Sequence, residues 1–541
     1  MGDADLFLSE VFASIFDLVL RPPGQVKARS GKFGIFSIKI GGGSWGAHRT
    51  LLGETEQGQR QDGPGRNNAN DRQRTHAVSL RPNPNPSFSK QRHNVEMIPF
   101  LLAALASIEL PSIFSDHMVL QRDQAIPVWG KAAPGEVVTV RLEGSPARQD
   151  RADLNGHWRV DLPAESASTK PRVLRIEGRS VQTFSDVMVG EVWICSGQSN
   201  MEWSILQSKD AQIEIEAAED PWLRHIKVNR ATATEGQFNF KGSWERSSPK
   251  VAGNWTAVGT HFGRKLRSEL GVPVGLINTT WGGTRIEPWC DPSALADEPT
   301  FSELVEARRA EPQSPGALFD AMVHPLIHYG IRGVVWYQGE SNAGEPERYR
   351  ELLPLMIRSW REAWGQGDFP FGVVQLAPFE SNGRWAELRE AQDLGAQAAG
   401  NAGLVVLLDV GNPTDIHPAD KKTVGQRLGR WALAETYGRN ILPSGPKVRS
   451  VTFTESSCVV ELDNAVGLST RDGATPGEFE VSMDKVSWKR TKATIVGNQI
   501  SIDGDNIIAV RYAWSDVPDG ANVMNAEGLP MAPFRWTKFE W

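Results

Sequence analysis

A chain of 541 residues is longer than one hydrophobic core usually supports, so several domains are expected. Its 58 Lys and Arg against 65 Asp and Glu leave a net charge of -7 with the two signs interspersed, which excludes the basic footprint of a nucleic-acid partner. The three widely spaced cysteines, Cys195, Cys290 and Cys458, exclude a disulfide framework and a Cys-rich zinc site, and no apolar run reaches the ~18 residues of a transmembrane helix, so a soluble protein without a membrane partner is expected.

Residues 55–96 carry Gly, Asn, Gln, Arg and Pro with almost no apolar content, including Pro82-Asn83-Pro84-Asn85-Pro86, and such a stretch cannot bury enough surface to offset its ordering entropy. The apolar run 97–106 begins at Met97 and ends in Ala104-Leu105-Ala106, which has the small-x-small form of a signal-peptidase site. Met97 is therefore expected to be the natural start, with residues 1–96 upstream and partly disordered, 97–106 the remnant of an export signal, and the protein secreted or periplasmic. Gly42-Gly43-Ser44-Trp45-Gly46 fits the Gly-x-Ser-x-Gly pattern, yet no helical pattern follows it, and it is set aside as a nucleophile.

From 107 to 186 the texture is short alternating runs, such as Val137-Val138-Thr139-Val140-Arg141-Leu142, broken by Pro-Gly and Asn-Gly turns, which predicts a β-sandwich domain. Residues 187–443 alternate apolar strands (187–195, 275–278, 333–337, 371–376, 403–408) with helical stretches such as 257–270 and 421–437. That pattern predicts an α/β unit on a parallel sheet, with its chemistry at the carboxyl ends of the strands. Short strands return over 444–541, predicting a second β domain. The 19 Trp against 5 Tyr suit either sugar-stacking faces or sandwich cores, and the core is the expected place for most.

Three polar motifs fall where strands of the α/β unit end. In Ser196-Gly197-Gln198-Ser199-Asn200-Met201 the glycine permits a tight strand-to-helix turn that would present the Ser199 hydroxyl at a helix N-terminus, as a nucleophile requires. In Thr280-Trp281-Gly282-Gly283-Thr284 the glycines let backbone N–H groups approach a ligand, and Gln338-Gly339-Glu340-Ser341-Asn342 offers side-chain amides. Donors aimed at the oxyanion of a tetrahedral intermediate contribute roughly 3–4 kcal/mol apiece when water is excluded. A base follows in Asp415-Ile416-His417-Pro418, where residues two apart in extended backbone share a face at ~6.5 Å, so that Asp415 can hold the tautomer of His417. Singly, each motif is as readily a cap or a loop closure; their arrival at one end of one sheet favours chemistry. No His-Glu-x-x-His, Cys-x-x-Cys or Gly-x-x-x-x-Gly-Lys occurs, so no metal or nucleotide cofactor is indicated.

Together, Gly197-Gln198-Ser199-Asn200-Met201, Trp281-Gly282-Gly283-Thr284, Trp336-Tyr337-Gln338-Gly339-Glu340-Ser341-Asn342 and Asp415-Ile416-His417-Pro418 resemble the sialate O-acetylesterase-like carbohydrate esterases of the SGNH hydrolase superfamily. The likeness extends to Phe114-Ser115-Asp116-His117-Met118, Leu388-Arg389-Glu390-Ala391-Gln392 and Gly528-Leu529-Pro530, and so covers about residues 107–541. It implies a three-layer, flavodoxin-like α/β SGNH domain flanked by β-sandwich domains, cleaving acetyl esters of sugars through an acyl-serine without a cofactor. By it Ser199 is the nucleophile, His417 the base, and the oxyanion hole is formed by Ser199, a glycine of the Gly282-Gly283 pair and Gln338. Relatives in the superfamily often carry Asp-x-x-His, but Thr414 stands three before His417. The acid is then Asp415, with Asp409 and a Ser–His dyad as the alternatives. Gln198, Arg285, Trp289, Glu340, Asn342 and Arg389 are candidate substrate contacts, an arginine being able to clamp a sialate carboxylate; charge pairing is the competing account of either arginine. The partner expected is an acetylated sugar or polysaccharide. An acetyl xylan esterase shares this chemistry, and a non-catalytic carbohydrate-binding protein is the rival of another class.

Overall fold

The computed structural model describes residues 107–539 apart from Asn382. Residues 1–96, the apolar segment 97–106 and the Gly42–Gly46 motif lie outside the described residues.

Seven strands open the described chain: β1 (Val119–Gln121), β2 (Ile126–Lys131), β3 (Val137–Leu142), β4 (Arg148–Arg151), β5 (His157–Leu162), β6 (Ser168–Glu177) and β7 (Val181–Gly197). Strict alternation in β5 turns Trp158, Val160 and Leu162 inward and His157, Arg159 and Asp161 outward. Antiparallel pairs join β2 to β5, β3 to β4 and β6, and β6 to the first half of β7. Over residues 181–186 β7 alternates between exposed and half-buried positions, whereas from Val187 to Gly197 every residue is buried. The texture change at 186/187 is therefore a change of environment within one unbroken strand, from an antiparallel sheet with a wet face to a parallel sheet covered on both faces.

In that parallel sheet β8 (Asp220–Lys227), β10 (Val274–Thr280), β11 (Gly333–Tyr337), β12 (Phe371–Val374) and β13 (Ala402–Val405) join β7, with β9 (Trp244–Ser247) antiparallel at the edge; the order is β13-β12-β11-β7-β10-β8-β9. The chain fills positions on the β10 side of β7 first and then crosses to β11, so the crevice at the carboxyl end of β7 is a topological switch point. The strand expected over 403–408 ends at Val405, where the Val406 carbonyl turns to accept from Arg427.

The helices are α1 (Ser199–Glu202), α2 (Ala211–Glu216), α3 (Ala257–Leu270), α4 (Pro292–Asp297), α5 (Pro346–Trp364), α6 (Trp385–Ala399) and α7 (Lys421–Glu435). Packing of α3 on α7 and of α5 on α6 covers the sheet. Trp193, Trp255, Trp289, Trp336 and Trp360 are fully buried, in line with the core fate expected of most tryptophans. The C-terminal strands run from β14 (Lys447–Phe453) and β15 (Ser457–Asp463) through β16 (Ser469–Thr470), β17 (Phe479–Ser482), β18 (Lys489–Arg490), β19 (Thr494–Val496), β20 (Gln499–Asp503), β21 (Ala509–Tyr512), β22 (Val523–Met524) and β23 (Phe534–Thr537). They form two four-stranded antiparallel sheets, β14-β15-β20-β19 and β18-β17-β21-β23, and a short β16-β22 pair. Among the described residues no helix is long and apolar enough to cross a membrane.

Candidate active site

Gly197 ends β7 with φ of 132°, and a Cβ there would stand 2.1 Å from the Tyr337 carbonyl oxygen, so only glycine lets β7 close on the end of β11. The chain then turns through Gln198, whose N–H donates to that carbonyl at 3.0 Å, into the single turn of α1 with Ser199 as its first residue. Ser199 is half-buried. The Nε2 atom of His417, 218 residues further on, lies 2.9 Å from Ser199 Oγ. Four residues past Ser199, on the same side of the turn, the Trp203 indole stacks on the His417 imidazole with centroids 4.5 Å apart and planes 15° from parallel.

Asp415 Oδ1 accepts the His417 backbone N–H at 2.9 Å and stands 3.8 Å from His417 Nδ1, beyond hydrogen-bond reach. The two-residue spacing does put both side chains on one face, but the carboxylate spends itself on the main chain and is half exposed. Asp409, the alternative acid, is corrected: both of its oxygens are taken by Arg427, at 2.7 and 2.6 Å, because α7 brings that guanidinium beneath it. Burial, with the nearby Lys421 cation, holds His417 below its ordinary value against the pull of Asp415, which favours the neutral imidazole.

Gly282 lies against Ser199: a Cβ on it would meet Ser199 Cβ at 3.1 Å. Its N–H, however, donates to Glu202 Oε2 at 2.9 Å, so in this state it is capped by a carboxylate and not open to an oxyanion. Glu202 is held there by Arg230, at 3.1 and 2.5 Å, and by Lys227 at 3.4 Å. Gly283, with φ of 76°, lets the loop turn away after this contact. Arg230 also sits over the Trp281 ring at 5.6 Å and lines a cavity of about 640 Å³ of mixed polar and apolar surface with Asn229, Glu235, Phe240 and Ala321.

The amides expected to point into the site mostly point away from it. Gln338 is fully buried and its Nε2 is spent on Asn342 Oδ1 at 2.7 Å and on Gln198 Oε1 and the Thr284 carbonyl at 3.2 Å each, which removes it from the oxyanion hole. Asn342, also fully buried, donates to Glu287 and accepts the Ile286 N–H, and Gln198 accepts N–H groups of Gly339 and Ser341. These side chains form a lattice under the site that ties the ends of β7, β10 and β11 together, and a buried amide must find such partners. Arg285 belongs to its rim, paired with Glu287 at 2.8 Å and Glu345 at 2.9 Å. Two further expectations are corrected outright. Trp289 is wholly buried, its Nε1 on Thr284 Oγ1 at 3.0 Å, and has no face to offer a sugar. Arg389 is wholly buried and donates to the carbonyls of Leu376, Ser515 and Asp516 at 2.8–2.9 Å, pinning the loop after β21 to α6. Glu340 accepts from Asn200 Nδ2 at 2.5 Å, behind the nucleophile and not in front of it.

Sequence reasoning missed Trp203, Glu202, Asn200 and Lys421. Trp203 was visible as the i+4 partner of Ser199 once a helical start was assumed; the others become legible only when loops far apart in sequence meet. Among the described residues no cluster of three or more His, Cys, Asp or Glu is placed to hold a metal ion.

A serine–histidine pair at the carboxyl end of the central strand of a helix-covered parallel sheet is the arrangement of SGNH-type esterases. Residues 189–434 match the family model described as carbohydrate esterase, sialic acid-specific acetylesterase. Human sialate O-acetylesterase is 29% identical over 460 residues, covering 75% of this chain and 87% of that protein. The mouse sialate O-acetylesterase is 29% identical over 506 residues, covering 78% and 93%. A solved structure described as a carbohydrate acetylesterase from Xanthomonas citri superposes with a TM-score of 0.75 at 37% identity, over 80% of this chain and the whole of that one. The chain belongs to this family of sialate O-acetylesterase-like carbohydrate esterases and is a carboxylic ester hydrolase. The reading of a non-catalytic carbohydrate-binding protein is thereby set aside.

Proposed function

We propose that the protein removes O-acetyl groups from sugars through an acetyl-serine intermediate, with Ser199 as nucleophile and His417 as general base. The observation that carries this reading is the 2.9 Å contact between His417 Nε2 and Ser199 Oγ at the switch point of the sheet. His417 takes the Ser199 proton as Oγ bonds to the acetyl carbon. The tetrahedral adduct collapses by breaking the ester C–O bond, and the imidazolium returns its proton to the departing sugar oxygen. Water then attacks the acetyl-serine with His417 again as base, releasing acetate and restoring the hydroxyl. The backbone N–H of Ser199, at the start of α1, and that of Gly283 serve the oxyanion, the Gly282 N–H being taken by Glu202. At the ends of the chain, residues 107–186 and 444–541 are read as β-sandwich units flanking the esterase, which a folded, β-rich fragment 444–541 would support and an unfolded one would contradict.

The test is acetate release from O-acetyl sialic acid, acetylated xylan and p-nitrophenyl acetate by the wild type and Ser199→Ala. Loss of roughly 10⁴-fold or more in kcat with the fold intact is expected, and substantial turnover by Ser199→Ala would overturn the assignment.

A further inference from the structure

Directly behind the nucleophile lies a buried polar chain that the esterase mechanism above does not use. Lys421, the first residue of α7, is wholly buried and its Nζ donates to Asn200 Oδ1. Asn200, the neighbour of the nucleophile, passes its own amide protons to Glu340 Oε1 at 2.5 Å and to the carbonyl of Ile416 at 2.9 Å. Ile416 precedes His417. One side chain thus bonds the turn that carries Ser199, the loop that carries His417 and the loop after β11, and Lys421 closes the set from α7. Glu340 Oε2 is buried and has no hydrogen-bond partner among the described residues; burial raises its carboxyl, and the nearby Lys421 ammonium opposes that rise.

The same ammonium lies 5.8 Å from the centroid of the Trp203 ring on which His417 stacks, and 5.6 Å from that of Tyr337. Burying a cation costs several kcal/mol unless it is paired, and a cation close to a histidine base disfavours the doubly protonated ring. The orienting acid of a serine–histidine site is here 3.8 Å from Nδ1 and half exposed, so neither the position nor the protonation state of His417 is set by that carboxylate alone.

We propose that Lys421 is a positioning residue of the esterase site: through Asn200 it clamps the histidine loop onto the nucleophile's turn, and its charge keeps the His417 imidazole unprotonated between turnovers. The charged and titratable groups around Lys421 are Glu340 from the loop after β11, Asp415 and His417 from the preceding loop, and Asp420 at the cap of α7; Asn200, Trp203 and Tyr337 are its neutral neighbours. Burial brings the Lys421 ammonium down to about 7, with Glu340, Asp415 and Asp420 resisting. Lys421 therefore titrates in the working range, and its charge bears on the His417 imidazole. This role rests on the acyl-serine reading above.

The experiment is kcat/KM for p-nitrophenyl acetate as a function of pH, with full-length wild type, Lys421→Gln and Lys421→Met. In the wild type the acid limb is expected below the ~6.5 of an ordinary histidine. Lys421→Gln retains an amide donor toward Asn200 and removes the charge, so its limb moves up by about half a unit to one unit while the plateau falls less than ~10-fold. Lys421→Met gives the same shift and, with the clamp lost, a plateau lower by ~10-fold or more. Limbs unmoved in both variants overturn the proposal. If the variants do not fold, the rate at which a fluorophosphonate labels Ser199 in the wild type reads the same base, and an acid limb at or above ~6.5 overturns it equally. An active Ser199→Ala would sink the esterase reading itself; an inactive Ser199→Ala with unmoved limbs sinks only the role of Lys421.

Discussion

His417 and Trp203 lie face to face, 4.5 Å apart and nearly parallel, while the far edge of the imidazole presents Nε2 to Ser199 at 2.9 Å. One helical turn therefore supplies the nucleophile at its first residue and, four positions on, the flat surface that fixes the plane of the base. Trp203 is itself held by its Nε1, which donates to the Gln207 carbonyl at 2.9 Å. Trp203→Ala leaves the ring free to rotate away from Oγ, and kcat is expected to fall by roughly 10- to 100-fold with little change in KM. Trp203→Phe keeps a stacking face and recovers most of that loss. A fall confined to KM would instead make Trp203 a sugar platform.

The 3.8 Å gap between Asp415 and His417 Nδ1 sets a second expectation. Where an aspartate is buried and bonded to the imidazole, its amide variant loses about 10⁴ in kcat. Asp415 is half exposed and bonded to the main chain, so Asp415→Asn is expected to cost less than about 10-fold in kcat, while the acid limb moves slightly lower as an attractive charge is removed. A loss beyond about 100-fold, measured as kcat for p-nitrophenyl acetate, would mean that the carboxylate closes on Nδ1 in the substrate complex and that the site is a full triad.

These cases show where sequence reasoning reached and where it stopped. Alternating strands and helices, with Gly197, Ser199, Gly282 and His417 at strand ends, predict a shared sheet edge, because the direction of a strand is set by its connections. The facing of a side chain after the strand ends is not predictable in that way. Gln338 and Asn342 read as donors for a substrate, yet one step of the chain turns them toward each other and toward Thr284 and Glu287. Arg389 reads from sequence as a sugar contact or a charge pair, because the three carbonyls that consume its guanidinium come from residues 376, 515 and 516, the last two more than a hundred positions away. Nothing local marks Lys421, at the start of a helical stretch, as a cation that bonds a distant buried asparagine.

Glu191 offers a test of how the two sheets are joined. Its side chain is fully buried on β7 and accepts from Arg122 Nε at 2.5 Å, Arg332 Nε at 2.8 Å and Gln121 Nε2 at 3.1 Å. Burial alone would raise its carboxyl, but the bonds and charges of Arg332 and Arg122 outweigh it and hold the group below the ordinary 4.5. A depressed folded value contributes stability that is present above the unfolded value and is lost as pH falls through the folded one. Glu191→Gln is therefore expected to cost about 3 kcal/mol at pH 7, and the gap between variant and wild type in urea unfolding is expected to narrow once pH drops below 4.5. A gap that stays constant from pH 7 to pH 3.5 would show that packing, and not the ionised carboxylate, is what the substitution removes.

Trp289 separates a structural role from a binding role. Its indole lies edge-on to Trp336 with centroids 6.1 Å apart, donates to Thr284 Oγ1, and its carbonyl accepts from Trp360 Nε1 at 2.9 Å. Thr284 in turn gives its own carbonyl to Gln338, so the ring braces the lattice that supports the Gly282 loop from within the core. Removing it leaves a cavity and takes one donor from the Thr284 hydroxyl, and Trp289→Ala is expected to lower stability by about 3–5 kcal/mol. With the surviving folded fraction counted by active-site titration, KM for an acetylated sugar is expected to stay within about 2-fold of wild type, since the ring has no surface to give the substrate. A stable Trp289→Ala whose KM rises 10-fold or more would return this residue to the sugar site.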